Sequence, residues 1–189
     1  MNNTLTLTRT TVIQTAKART AATLAAVIAA VAVPQFFHML GAASGMGAAL
    51  GQTLLPMHLP ILLVGLLAGP AAGLVAGALG PIASFALSGM PGAAMLPFMI
   101  LELAGYGLAA GLLAGTKLPA FAKVLLAQLA GRLVRAIAVL AAVYGLGAQT
   151  VAVASIWTSV AAGLPGLVLQ WSLLPLMLFW LEHREHGDA

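Results

Sequence analysis

Six apolar stretches follow one another between Ala18 and Leu181 with only short connections, and this succession constrains the fold more than any other feature. A helix needs about 20 apolar residues to cross the hydrocarbon core of a bilayer. Six crossings and their turns therefore account for nearly all of the 189 residues. Charged residues make up 6% of the chain and hydrophobic ones 61%, against about 25% charged in an ordinary soluble domain. The expected fold is an all-α integral membrane protein with six transmembrane helices. A polar segment over residues 1–16 precedes a transmembrane domain over 17–181, and a polar tail over 182–189 follows it. No stretch is left for a nucleotide-binding domain, so any ATP-driven work is expected from other subunits.

The first span is expected over Ala18 to Leu40 and is rich in alanine. Ala18, Ala22, Ala26 and Ala30 recur every fourth residue, a smooth stripe along which another helix can approach closely. Residues 41–53 are rich in Gly, Ala and Ser and read as a loop or re-entrant segment covering a cavity. The second span is expected from Pro56 to Ala68, with Gly69-Pro70 as a tight turn, and the third runs on to Leu87. The remaining spans are expected over Ala93 to Ala114, Ala120 to Tyr144 and Val151 to Leu181.

Charge placement gives an orientation. Arg9, Lys17, Arg19, Lys117, Lys123 and Arg184 fall on one side of this six-span map, and the three opposite connections hold no Lys or Arg. The positive-inside rule puts both termini in the cytoplasm, in a cell inner (cytoplasmic) membrane. The N-terminal segment lacks the short apolar stretch and cleavage site of a signal peptide.

Glu102, Arg132 and Arg135 are charged residues well inside the spans. Each costs about 2.5–3.5 kcal/mol or more at a helix centre, so each needs a partner or a water-filled cavity. Arg132 and Arg135 share a helix face at i, i+3, and Glu102 can neutralise one of them. Two readings stay open. Glu102 forms a structural ion pair with one arginine, Arg132 or Arg135, while the other snorkels to an interface, or the surplus positive charge holds an anionic ligand.

Chemistry-bearing motifs are sparse. The chain has no cysteine and no aspartate before Asp188, which excludes thiolate ligation and a paired-aspartate protease. No serine elbow or phosphate-cradling glycine loop is present, so an enzyme is not expected. His38 and His58 near one end do not make a metal site, and no cofactor is expected. Gln128 and Gln170 read as hydrogen-bonding glue between helices. The net charge of +4 comes largely from residues beside the span ends and does not indicate nucleic-acid binding.

The middle of the chain resembles a known family. Pro56-Met-His-Leu-Pro60 continuing to Gly69-Pro70, then Gly73, Gly77 and Gly80-Pro81, then Leu87-Ser-Gly-Met-Pro91 carry the first part of the likeness. Glu102-Leu-Ala-Gly-Tyr-Gly107, Gly131-Arg132, Gly163-Leu-Pro-Gly166 and Gln170 continue it. Together they look like the substrate-binding S component of energy-coupling factor (ECF) vitamin transporters. The resemblance implies six helices with both termini inside and a vitamin pocket near the outer surface, closed by the loop between the first two helices. It implies docking through an A-x-x-x-A stripe onto a transmembrane coupling subunit driven by two ATPases, which are shared or absent for some members. On this reading Gln52, His58, Met90, Arg135 and Trp157 contact the substrate. The net intramembrane positive charge favours a carboxylate-bearing vitamin or precursor such as pantothenate or biotin. The competing expectations are a membrane scaffold or assembly protein without a ligand, and a self-sufficient small-solute carrier.

Overall fold

In the computed structural model, residues 13, 15–47 and 49–187 are described, the side chains from 182 onward excepted. Arg9, Arg184 and most of the two polar terminal segments therefore lie outside the described residues or side chains. Among the described residues seven α-helices follow in order: α1 (Ala16–Ala43), α2 (Ala49–Leu54), α3 (His58–Ala68), α4 (Pro70–Ser88), α5 (Leu96–Ala114), α6 (Ala120–Leu140) and α7 (Ala154–Gly187). A π-helical turn, Ala141–Gly145, extends α6. Taking α2 with α3, and α6 with its π turn, six helical segments are long and apolar enough to cross a membrane. The chain is a multi-pass membrane protein by this measure.

The largest departure from expectation lies in the second span. Residues 56–68 alone would extend only about 20 Å at the helical rise, too little for the hydrocarbon core. The structure supplies the missing length from the stretch expected to be loop, folding Ala49–Leu54 as α2. Leu55, with φ 49°, breaks the helix in front of Pro56, because proline's ring disfavours the α conformation in the residue before it. The segment therefore crosses as a broken helix.

Local chemistry accounts for the other ends. Thr15 caps α1, its Oγ1 accepting from the Ala18 amide at 3.2 Å. Gly69 takes φ 93° between α3 and α4, and Pro70 opens α4, where its missing N–H costs nothing. Gly89, with φ 70°, ends α4. Lys123 is not a free flanking cation: it is 1% exposed, and its Nζ donates to the Ala114 carbonyl at 2.8 Å, capping the end of α5.

Helix α5 is central and packs against α3, α4 and α6. It meets α4 backbone to backbone, since a Cβ added to Gly107 would overlap the Gly73 carbonyl and one on Gly77 would overlap that of Leu103. Without a hydrophobic effect between helices in lipid, such close van der Waals contact is a main source of association. Ile61, Leu62, Leu66, Leu103, Tyr106, Ala110 and Val124 fill the core behind this seam.

The alanine stripe of α1 turns inward over most of its length. Ala30 is fully buried and sits against Gly80, while Ala26 packs with Val64, Ala68, Ala72 and Ala76, and Ala22 leans on the same cluster. Of the four alanines expected to dock a partner, only Ala18 is exposed. The stripe is used for α1's own packing against α3 and α4, because its small residues complement those of α4. Leu24 and Ile28 point outward instead, at 58% and 66% exposure.

Candidate functional site

One end of the bundle is not filled. The last third of α1, the middle of α2, the start of α3, the end of α4, the connection into α5, the start of α5, the second half of α6 and the start of α7 line a cavity of about 480 Å3. Pockets for small organic ligands fall at about 300–1,000 Å3.

Helical periodicity brings the lining together. Met95 at the N-cap of α5 and Met99 and Glu102 on it recur at i, i+4 and i+7, one stripe facing the cavity. On α7, Ser155, Thr158, Ser159 and Ala162 recur at i, i+3, i+4 and i+7 and supply a hydroxyl-bearing wall. Arg132 and Arg135, at i and i+3, face it from α6. His58 enters at the first turn of α3, and His38, Gln52, Leu55, Met57, Ser84 and Met90 add further side chains beside backbone and proline surfaces.

At the floor, Glu102 is 1% exposed and organises the charges around it. Arg135 Nη1 donates to its Oε2 at 2.8 Å, and Arg132 Nη1 approaches Oε1 at 3.0 Å. The Tyr106 hydroxyl, one turn further along α5, donates to Oε1 at 2.9 Å. His58 Nε2 stands 4.0 Å from the same oxygen, beyond hydrogen-bond reach, with its ring 5.1 Å from that of Tyr106. Both arginines thus share one carboxylate, and the reading in which Glu102 serves Arg132 alone is too narrow. Arg135 does not snorkel, because Glu102 holds it at the cavity floor.

This arrangement carries more donors than it uses. His58 Nδ1 and Nε2, Arg132 Nε and Nη2, Arg135 Nε and Ser155 Oγ are all buried without a hydrogen-bond partner. A buried, unpaired polar group costs about 1–3 kcal/mol, and more when charged. So many on residues lining one cavity set this end of the bundle apart, since buried polar groups are ordinarily paired.

The expected contacts divide. Gln52, His58, Met90 and Arg135 all line the cavity. Trp157 does not: it is 74% exposed and lies on the opposite side of α7 from the Ser155–Ser159 wall. Arg132 and Glu102, expected only as an ion pair, are lining residues too. Sequence reasoning missed Met95, Met99 and the α7 hydroxyls, although their i, i+3, i+4, i+7 spacing was a usable signal. Gln128 and Gln170 serve as glue: Gln128 Nε2 donates to Gln170 Oε1 at 2.9 Å, and Gln170 Nε2 donates to the Leu55 carbonyl at 3.1 Å. That second bond fastens the break between α2 and α3. Trp171 Nε1 completes the network by donating to Gln128 Oε1 at 2.6 Å. Among the described residues no group of three His, Cys, Asp or Glu side chains could hold a metal ion.

No family model matches the chain, and no curated protein or solved structure matches it either. The functional reading therefore rests on the site itself and on the motifs in the sequence.

Proposed function

We propose that the protein is a membrane-embedded binding subunit for a small carboxylate-bearing solute, a vitamin or vitamin precursor of the kind represented by pantothenate and biotin. The observation that carries this reading is the sharing of one buried carboxylate by two arginines on the floor of a cavity of about 480 Å3. Glu102, Arg132 and Arg135 together carry one positive charge, which a bound carboxylate neutralises. The likeness of residues 18–175 to ECF S components narrows the solute to vitamins. The same likeness supplies the partners: a transmembrane coupling subunit and two ATPases, dedicated or shared.

The orientation belongs to the same proposal. The cavity lies at the end whose connections lack Lys and Arg, whereas Lys17, Arg19 and Lys117 lie at the other end. By the positive-inside rule the cavity opens away from the cytoplasm, as capture from outside requires, and both termini are cytoplasmic.

Native mass spectrometry of the purified protein, first as isolated and then with a panel of vitamins, tests the reading. A bound carboxylate-bearing vitamin supports it. A folded, monodisperse protein that binds no member of the panel sinks it in favour of a scaffold. Gradient-driven uptake by the protein alone in liposomes would instead make it a self-sufficient carrier.

A further inference from the structure

The two arginines at the cavity floor are not equivalent. Arg135 is engaged at both terminal nitrogens, Nη1 on Glu102 Oε2 at 2.8 Å and Nη2 toward Met95 Sδ at 3.8 Å. Arg132 uses one terminal nitrogen only: its Nη1 lies 3.0 Å from Glu102 Oε1 and 3.3 Å from Ser159 Oγ. Its Nε and Nη2 are buried without partners. These two N–H groups sit side by side on one edge of the planar guanidinium, a pairing that matches the two oxygens of a carboxylate. Both are closed off from the cavity here, so a ligand reaches them only as the Arg132 side chain turns within the wall. Glu102 does not fill it, since it meets Arg132 through Nη1.

We infer that Arg132, through its Nε/Nη2 edge, is the receptor for the single carboxylate of a monoanionic ligand, and that Arg135, held by Glu102, is a positioning residue. The inference rests on the small-solute reading above and adds the ligand's charge and its point of attachment. A monoanion neutralises the one surplus positive charge on the lining. A neutral analogue leaves the guanidinium edge unpaired, and a ligand with further negative charge brings an uncompensated charge into a low-dielectric site. Met57, Met95 and Met99 line the same cavity, a polarizable wall suited to the apolar body of such an acid.

The test uses the full chain in mild detergent and matched probes: pantothenate with its alcohol analogue panthenol, biotin with its primary amide, and 4′-phosphopantothenate as the more highly charged member. Binding is read by titration calorimetry and thermal shift on the unaltered protein, Arg132→Lys and Arg135→Lys. Each lysine keeps a positive charge beside Glu102, so both variants retain the ion pair while losing the planar fork. The acid is expected to bind roughly 10- to 100-fold more tightly than its neutral or phosphorylated counterpart. Arg132→Lys keeps the charge but loses the fork, so that ratio falls several-fold, whereas Arg135→Lys weakens both members of a pair alike. Equal binding of acid and neutral analogue overturns the inference and leaves the small-solute reading standing. So does an acid preference that survives Arg132→Lys and vanishes in Arg135→Lys. Failure of every probe to bind the unaltered protein overturns both.

Discussion

The two halves of α5 solve opposite problems within one helix of 19 residues. Its C-terminal half presents Gly107, Ala110, Gly111 and Ala114, all buried, and lets α3 and α4 press against the backbone. Its N-terminal half presents Met99 and Glu102 to a cavity, with Met95 just before the first turn. Small residues at one end remove free volume, while large and charged ones at the other surround it. The close-packed half fixes the helix axis, and with it the position of the carboxylate that orients both arginines. A cavity with a defined charge geometry is thus maintained by a seam that has no freedom to adjust. The comparison yields a general expectation: damage at the cavity end is recoverable by a ligand, and damage at the seam is not.

The largest effect is expected from Glu102→Gln. Removing one partner of a buried ion pair costs about 3–5 kcal/mol, and here two guanidinium groups lose their shared anion. The melting temperature in detergent should fall sharply, and saturating carboxylate ligand should restore part of the loss. A variant that melts like the unaltered protein would show that Glu102 does not organise the floor. Gly107→Val comes next. Its side chain must enter where the Gly73 carbonyl lies, and overpacking costs about 1–3 kcal/mol, more where backbone meets backbone. The same ligand should recover none of this loss. Recovery equal to that of Glu102→Gln would erase the distinction between the two halves.

A smaller effect is expected from Gln170→Leu. It removes the bond to the Leu55 carbonyl and the acceptor of Gln128, leaving buried polar groups unpaired at about 1–3 kcal/mol. Because Leu55 and Gln52 line the cavity, ligand affinity should fall along with the melting temperature. A loss of stability with affinity unchanged would separate the α2–α3 break from binding.

Much of this comparison is legible in the sequence, and the limits have physical causes. The spans follow from hydropathy because lipid leaves so few alternatives. The Gly69-Pro70 turn follows from backbone chemistry, and the polar residues of the floor follow from their rarity in the membrane. Residues 49–54 misled because Gly and polar residues lower the apparent helical signal, while tertiary support from α7 makes the segment a helix. The inward turn of Ala26 and Ala30 was hidden because a stripe of small residues suits an internal partner as well as an external one. The pairing of Glu102 with both arginines depends on the relative rotation of α5 and α6, which Gly105 and Gly131 permit at close range. No single-helix pattern encodes that rotation.

Trp157 gives the finest test of where the cavity ends. Its neighbours on α7, Ser155, Thr158 and Ser159, line the site, yet it is itself 74% exposed and absent from the described lining. At ~100° per residue, a position between i and i+3 faces away from the stripe that those residues form. Its ring therefore belongs to the bundle's outer surface near a span end, where an amphipathic aromatic anchors at the headgroup level. Trp157→Ala should change stability in detergent by less than about 0.5 kcal/mol, as for surface substitutions away from special features, and leave ligand affinity unchanged. Titration calorimetry on this variant decides the matter. A tenfold loss of affinity would mean that the bound state rotates α7 toward the cavity, and the boundary drawn between lining and outer surface would have to move by one helix face.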